Sequence, residues 1–271
     1  MSFLYAVFGN PIEHSRSPEI HSLFAKQENV DIIYEKRLVN LNLRDSLRLF
    51  AQDGGVGANV TVPCKEEAFS LCIECSSRAK MAGAVNTLIR QPEKSDGSVA
   101  WFGDNTDGIG LTRDIMRQGV NLNGARVLLL GAGGAARGVI GVLTEYGADV
   151  VIVNRNLDKA KTLAELFSIQ ATSYNDLSNC GIFDVIVNAT SASLSNIQLP
   201  IPNNIFANAQ LSYDMVYAKN QTSFLQQANV SGCLKCVDGL GMLVEQAAES
   251  YRLWRGFKPD VESVLVTLKN G

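Results

Sequence analysis

Three side chains of different type stand where they could do proton chemistry: a lysine, an amide and a carboxylate. Lys65 follows Gly57-Ala58-Asn59-Val60-Thr61-Val62-Pro63-Cys64. The β-branched run over Ala58 to Val62 predicts a buried strand, and Pro63, which cannot continue a ladder, closes it. A helix is predicted to follow, with Lys65 in its first turn and Glu66 and Glu67 close behind. The positive end of a helix dipole favours acids there and opposes cations by about 0.3–1 kcal/mol. A lysine so placed is either solvated and unimportant or held for chemistry. Asn86 sits in Ala84-Val85-Asn86-Thr87, inside a predicted apolar strand over Gly83 to Arg90. A buried amide must find partners or destabilise the fold. Asp107, in Gly103-Asp104-Asn105-Thr106-Asp107-Gly108, heads a helix predicted to reach about Arg117, which is also an ordinary place for an acid.

The elements that must position these residues read as alternating strands and helices. Phe3 to Phe8 predicts a first strand, ending at Gly9-Asn10-Pro11. In the polar turn after it, Ser17 suits an N-cap and Pro18 a first helical residue, and the helix should run to about Glu28 with Ile20, Leu23 and Phe24 inward. Ser15 and Ser17 thus lie where a strand end meets a helix start, the edge on which open α/β sheets bind small ligands. Hydroxyls beside a helix N-terminus suit a carboxylate. Ile32 to Leu38 predicts a strand and Leu43 to Gln52 a helix. The helix after Lys65 should carry Cys72 and Cys75 at i, i+3, and Ser77 to Met81 is also predicted helical. Gln91 to Ser98 reads as a polar hairpin loop before a strand over Val99 to Gly103.

A second unit opens with the apolar strand Val127 to Leu130, which runs into Gly131-Ala132-Gly133-Gly134-Ala135-Ala136 and a helix to about Tyr146. This is the dinucleotide fingerprint in its G-x-G-x-x-A form: Gly131 for the tight turn, Gly133 for backbone approach to a pyrophosphate, Ala136 for close helix packing. A strand over Asp149 to Val153 follows at the βαβ distance. An NAD site usually has an acid at its end to hold the ribose 2′-hydroxyl. This chain has Asn154-Arg155-Asn156-Leu157-Asp158-Lys159 instead, and Arg155 and Lys159 can meet a 2′-phosphate, which favours NADP although Asp158 lies close by. Further elements are a helix over Leu157 to Phe167, a strand over Asp184 to Asn188 with the polar turn Asn188-Ala189-Thr190-Ser191, a strand over Leu211 to Asp214, and a helix over Thr222 to Ala228. Val237-Asp238-Gly239 closes the unit. The helix after Gly239-Leu240-Gly241 puts Leu243, Val244, Ala247, Ala248, Tyr251 and Trp254 on one apolar face. Gln246 lies off that stripe, on plain surface or turned into a cleft. A last helix spans Val261 to Leu268.

Composition excludes several classes. The 271 residues are 46% hydrophobic, enough for one large domain or two ordinary ones. A net charge of −3 argues against a general nucleic-acid partner, so a phosphorylated ligand needs a local basic pocket. No apolar run approaches a membrane span, and the N-terminus lacks the basic region of a signal peptide, so the expected location is cytoplasmic. Cys72-Ile73-Glu74-Cys75 and Cys233-Leu234-Lys235-Cys236 have zinc-like spacing without glycine-rich knuckles, and read instead as buried thiols. With only His14 and His21 as histidines, no metal site is expected.

The chain resembles the shikimate dehydrogenase family along nearly its whole length. The stretches that carry the resemblance are Ala6-Val7-Phe8-Gly9-Asn10-Pro11 with His14-Ser15-Arg16-Ser17-Pro18; Gly57 to Pro63 with Lys65-Glu66; Gly83 to Thr87; Asp104 to Gly108; the turn from Gly131; Asn188-Ala189-Thr190-Ser191; Tyr213-Asp214-Met215; and Asp238 to Leu243. The resemblance implies two α/β domains with a cleft between them: a discontinuous open α/β substrate domain, residues 1–106 plus 240–271, and a Rossmann-type NADP domain, residues 107–239. It implies reversible reduction of 3-dehydroshikimate to shikimate with NADPH, with the small molecule as partner and the chain a monomer or homodimer. Lys65 and Asp107 match the catalytic pair. Ser15 and Ser17 match the residues that bind the substrate carboxylate, and Thr61, Asn86, Asp107, Tyr217 and Gln246 those that hold its oxygens. Gly131, Ala132, Gly133, Gly134, Ala135, Asn154, Arg155, Asn156, Lys159, Met215 and Gly239 match the cofactor lining. Three positions depart from the pattern: Asn156 stands for a usual Thr, Ser193 for a frequent Gly, and Cys64 for a common aromatic. Hydride transfer to a ketone builds charge on oxygen, which a positioned ammonium can quench. Lys65 is therefore expected to be the acid/base, with Asp107 orienting it. The alternatives are a paralogue that uses NAD or acts on quinate, and a non-catalytic dinucleotide sensor, which would need none of Lys65, Asn86 and Asp107.

Overall fold

Two separate sheets carry the chain, and the same sequence rule, apolar runs bounded by glycine and polar turns, builds both. The structure is a computed structural model and describes residues 3–40, 42–93 and 99–270. Positions 94–98 of the predicted hairpin loop lie outside the described residues. The chain forms two compact units, residues 1–107 with 244–271, and residues 108–243.

In unit 1 the elements are β1 (Phe3–Gly9), α1 (Ser17–Glu28), β2 (Ile32–Leu38), α2 (Leu43–Gln52), β3 (Gly55–Val60), α3 (Lys65–Leu71), β4 (Glu74–Cys75), α4 (Ser77–Ala82), β5 (Thr87–Gln91) and β6 (Ala100–Asp104). The sheet order is β2-β1-β3-β5-β6-β4. β1 pairs in parallel with β2 and β3, whereas β5 runs antiparallel to both β3 and β6. One face buries Ala6, Phe8, Phe50, Ala58, Val60 and Leu88 in a single apolar cluster.

From α5 (Asp107–Arg117) the chain enters unit 2, with β7 (Arg126–Leu130), α6 (Gly134–Glu145), β8 (Asp149–Val153), α7 (Leu157–Phe167), β9 (Gln170–Thr172), β10 (Val185–Asn188), α8 (Asn203–Phe206), β11 (Leu211–Asp214), α9 (Ser223–Val230) and β12 (Cys236–Val237). α10 (Leu240–Arg255) returns the chain to unit 1, where α11 (Val261–Asn270) ends it. The unit 2 sheet is all parallel, ordered β12-β11-β10-β7-β8-β9. That is the doubly wound order of a dinucleotide fold, reversing between β7 and β10. Its strands are apolar on both faces, as a helix-covered parallel sheet requires: Val127 and Leu129 enter one core, Leu128 and Leu130 the other.

Four local expectations are corrected. The strand before Lys65 ends at Val60, not Val62, because the Cys64 amide bonds the Thr61 carbonyl at 2.9 Å and reverses the chain, leaving Val62 68% exposed. α3 stops at Leu71. The Ile73 amide bonds Trp101 O at 3.0 Å and the Ser76 amide bonds Gly103 O at 2.9 Å, which draws Cys75 into β4 rather than a helix. Ser17 is the first helical residue and Arg16 the cap position, the Ser15 hydroxyl accepting the Ser17 amide at 3.3 Å. Asn86 lies at a bend just before β5, since Gly83 ends α4 in the left-handed region at φ 61° and the chain turns through Ala84 to Asn86 to reach the sheet.

Candidate active site

Lys65 is fixed by its backbone before its side chain is considered. Its carbonyl accepts the Val85 amide at 2.9 Å, which ties the start of α3 to the bend that carries Asn86. Asn105 caps α5, its Oδ1 accepting the Asp107 amide at 3.1 Å while its Nδ2 donates to Ala84 O at 3.0 Å. Two helix starts therefore face each other across one bend. Lys65 Nζ donates to Asp107 Oδ2 at 2.6 Å, with the side chains 27% and 13% exposed. Asn86 Nδ2 donates to the other carboxylate oxygen at 2.8 Å, and its second hydrogen is within reach of Thr106 Oγ1 at 2.9 Å and Gln246 Oε1 at 3.3 Å. Gln246 thus faces this cluster from α10, off the helix's apolar stripe. The group combines an ammonium, a carboxylate and two amides in a half-buried setting, which suits donating a proton to an oxygen and gripping neighbouring hydroxyls.

Ser15 and Ser17 share a hydrogen bond at 3.2 Å at the start of α1, with Ser17 buried and Ser15 half-buried. Thr61 is half-buried in the turn that leads to Lys65. Cys64 is buried at the cap position of α3, and burial pushes its thiol up.

In unit 2 a groove of about 550 Å³ opens at the carboxyl ends of β7 and β10, where the strand order reverses. Gly131 to Ala135 form one wall and Ala189 to Ala192 another, with Asn154, Arg155 and Tyr174 also lining it. Gly131 needs its missing side chain, with φ 106° and Thr190 Cγ2 at 3.0 Å from where a Cβ would stand. At Gly133 and Gly134 a Cβ would meet nothing within 4 Å, so this backbone is open for a ligand to approach. A neighbouring groove of about 740 Å³ shares Ala132, Gly133, Asn154 and Arg155 and adds Asn156, Asp158 and Lys159. Asn156 caps α7, its Oδ1 accepting the Asp158 and Lys159 amides at 3.0 and 3.2 Å, which leaves its NH₂ for a ligand. The site residues therefore fit a dinucleotide whose pyrophosphate meets the start of α6 and whose ribose end meets two cations.

Three families match consecutive parts of the chain: "Shikimate dehydrogenase substrate binding domain" over residues 7–88, "Shikimate / quinate 5-dehydrogenase" over 112–205 and "Shikimate 5'-dehydrogenase C-terminal domain" over 239–268. The chain is 51% identical over 276 residues to "Shikimate dehydrogenase (NADP(+))" of Dechloromonas aromatica (strain RCB), covering 99% of this chain and 98% of that one. The chain belongs to the shikimate dehydrogenase family. Among solved structures it is similar to an Ael1 enzyme from Pseudomonas putida (40% identity, 98% of each chain, TM-score 0.92). It is also similar to shikimate 5-dehydrogenase from Thermus thermophilus in complex with NADP(H) and shikimate (33% identity, 96% of each chain, TM-score 0.84).

Within this family frame, the structure brings Lys65, Asn86, Asp107 and Gln246 into one hydrogen-bonded group in unit 1, and Gly131 to Ala135 with Asn154 and Arg155 around one groove in unit 2. Asn156 and Lys159 line the adjoining groove. Met215 and Gly239 pack on each other: a Cβ on Gly239 would stand 2.2 Å from Met215 O. Tyr217 is 37% exposed, in unit 2. Sequence reasoning passed over Thr106, which bonds Asn86 by both its amide and its hydroxyl, although it stands next to Asp107 in the quoted motif. It also passed over the apolar wall of Ile197, Leu199 and Pro200 in the unit 2 groove, which lies in a stretch without helical or strand period.

Proposed function

We propose that this enzyme catalyses the NADP-dependent, reversible reduction of 3-dehydroshikimate to shikimate, a step toward chorismate and the aromatic amino acids. Unit 1 is the substrate half and unit 2 the NADP half. The reading is carried by the Lys65–Asp107–Asn86 group in a chain 51% identical to an NADP-dependent shikimate dehydrogenase.

Lys65 is the general acid/base: its ammonium gives a proton to the alkoxide formed at the carbonyl and takes one back in the reverse direction. Asp107 holds the Lys65 nitrogen at 2.6 Å and accepts a hydrogen bond from a substrate hydroxyl. Asn86, Thr61, Tyr217 and Gln246 bind the remaining ring oxygens, and Ser15 and Ser17 bind the carboxylate. NADP supplies or accepts the hydride when bound. The open backbone of Gly131 to Ala135 would hold its pyrophosphate and Arg155 and Lys159 its 2′-phosphate, with Asn154 and Asn156 beside them, and Met215 and Gly239 would complete the cofactor lining. All six cysteines are free thiols, in keeping with a reducing compartment, and we place the enzyme in the cytoplasm as a monomer or homodimer. Among the described residues no helix is long and apolar enough to cross a membrane.

The deciding experiment is spectrophotometric: oxidation of shikimate with NADP, repeated with NAD and with quinate. Turnover of shikimate with NADP well above the other three combinations supports the reading. Preference for quinate or NAD replaces it with the paralogue, and no turnover with any pair leaves a dinucleotide sensor.

A further inference from the structure

Behind the Lys65–Asp107 pair, unit 1 holds a second set of buried polar side chains. Asn59 on β3, Thr87 on β5 and Ser250 on α10 are 6%, 0% and 0% exposed, and Tyr34 reaches them from β2. The direction of each hydrogen bond follows from atoms that can act in only one way. The Thr106 amide can only donate, and it reaches Asn86 Oδ1 at 2.9 Å, so Asn86 Nδ2 is the atom facing Asp107. The 2.8 Å contact between Thr87 Oγ1 and Asn86 Oδ1 then takes its hydrogen from Thr87. Thr87 has no other to give. The 2.7 Å contact with Ser250 Oγ is therefore filled by the Ser250 hydrogen, shared with the Gln246 carbonyl at 3.0 Å. Asn59 is fixed in the same way. Its Nδ2 donates to the Asn86 carbonyl at 3.1 Å and to Ser250 Oγ at 3.0 Å, which leaves Oδ1 for the Tyr34 hydroxyl at 2.7 Å. One path of donors runs through the set, from Tyr34 to Asn59, Asn59 to Ser250, Ser250 to Thr87, Thr87 to Asn86, and Asn86 to Asp107, with side branches to the Asn86 and Gln246 carbonyls.

We propose that Asn59, Thr87 and Ser250 are positioning residues: their one-way hydrogen-bond chain holds the Asn86 amide with its nitrogen toward Asp107, so that the carboxylate meets Lys65 and substrate in a single orientation. A flipped amide would set its oxygen against the Asp107 carboxylate and its NH₂ against the Thr106 amide, two repulsive contacts, and in the orientation so chosen the Thr87 hydroxyl adds a second donor to Asn86 Oδ1 and holds the amide plane from behind. The chain crosses three strands and the returning helix α10, so packing holds it in place. The inference rests on the roles given above to Lys65 and Asp107.

The test is steady-state kinetics and melting of the full chain carrying Thr87→Val, Thr87→Ser, Ser250→Ala or the double change Thr87→Val/Ser250→Ala, with Lys65→Ala run beside them. Loss of one such hydrogen bond should lower kcat/KM for shikimate about tenfold in Thr87→Val, with the KM for NADP held within about twofold. Thr87→Ser, which keeps the hydroxyl, should restore the rate. The double variant should be no slower than Thr87→Val alone, because a chain broken once is already broken. Wild-type kcat/KM in Thr87→Val, no rescue by Ser, or additive losses would each overturn the proposal. If Thr87→Val does not fold, Ser250→Ala, which removes one oxygen from a helix, decides alone: a loss confined to shikimate supports it and wild-type kinetics defeats it. Full turnover in Lys65→Ala would instead defeat the acid/base reading itself.

Discussion

Asp107 divides its two oxygens between a cation and an amide, Lys65 on one and Asn86 on the other, and this division defines what each residue can do. An acid/base positioned in this way contributes a factor of about 10² to 10⁴ in rate. Lys65→Ala should therefore cut kcat by about 10²- to 10⁴-fold with little change in the KM for shikimate, as read by initial rates. A surviving full rate would remove Lys65 from the mechanism. Arg155 is exposed beside Ala132 and Gly133 in the grooves of unit 2. On the proposed 2′-phosphate role, Arg155→Ala should weaken NADPH binding far more than NADH binding in fluorescence titrations. Equal losses for both would show that Arg155 supports the loop and not a phosphate.

At the scale of elements, the turn after β10 is locked from beneath. Asn188 is fully buried, and its Oδ1 accepts the Thr190 amide at 3.0 Å and hydroxyl at 2.7 Å. Its Nδ2 donates to Ser193 Oγ at 3.1 Å and to Asp214 Oδ1 at 3.2 Å. Asp214, buried at the end of β11, also accepts Ser193 Oγ at 2.5 Å, Thr222 Oγ1 at 2.6 Å and the Val216 amide at 3.0 Å. Ser193, which departs from the family's frequent glycine, is thus one of the donors that satisfy a buried carboxylate. Ser193→Ala should cost about 1–3 kcal/mol, a fall in Tm of about 3–10 °C for a domain of this size by thermal melting. Because Thr190 lines the groove proposed for the dinucleotide, the KM for NADP should rise in the same variant. An unchanged Tm would mean that a water or Thr222 replaces the serine at no cost.

On the scale of the whole molecule, the C-terminal return of the chain completes the core of unit 1. Tyr251 and Trp254 of α10 pack with His21 and Phe24 of α1 and with Tyr34 of β2, and Trp254 Nε1 donates to Leu88 O at 3.0 Å. His21 is fully buried there, stacked on Tyr34 at 4.3 Å, and desolvation outweighs the nearby Asn59 amide to push its imidazole down to about 3. The folded chain therefore keeps His21 neutral while the unfolded chain protonates it below about pH 6.5. Stability is full above that pH and falls as pH drops toward 3, by up to about 1.4 kcal/mol per unit. The Glu28 carboxyl, which its hydrogen bond to Arg255 holds below the usual range, adds its own loss only at lower pH. Between pH 7.5 and 5 the wild type should lose about 2 kcal/mol that His21→Phe does not, as measured by urea unfolding at both values. Parallel losses in both proteins would place the acid sensitivity elsewhere.

The sequence by itself determined the type and order of most elements, because periodicity and punctuation are local. The glycine turn, the apolar strands of unit 2, the missing acid after β8 and the lysine at the start of α3 are all readable within a few residues. Tertiary structure decided whatever depended on partners distant in sequence. Cys75 joins a strand because Gly103 offers it a ladder, and Val62 leaves one because the chain reverses beneath it. Asn86 finds its orientation from Thr106 and Asp107, 20 and 21 residues away, and from Gln246, 160 away. A polar side chain is specified by the hydrogen bonds it can close, and those partners meet only once the sheet has paired and α10 has come back to it.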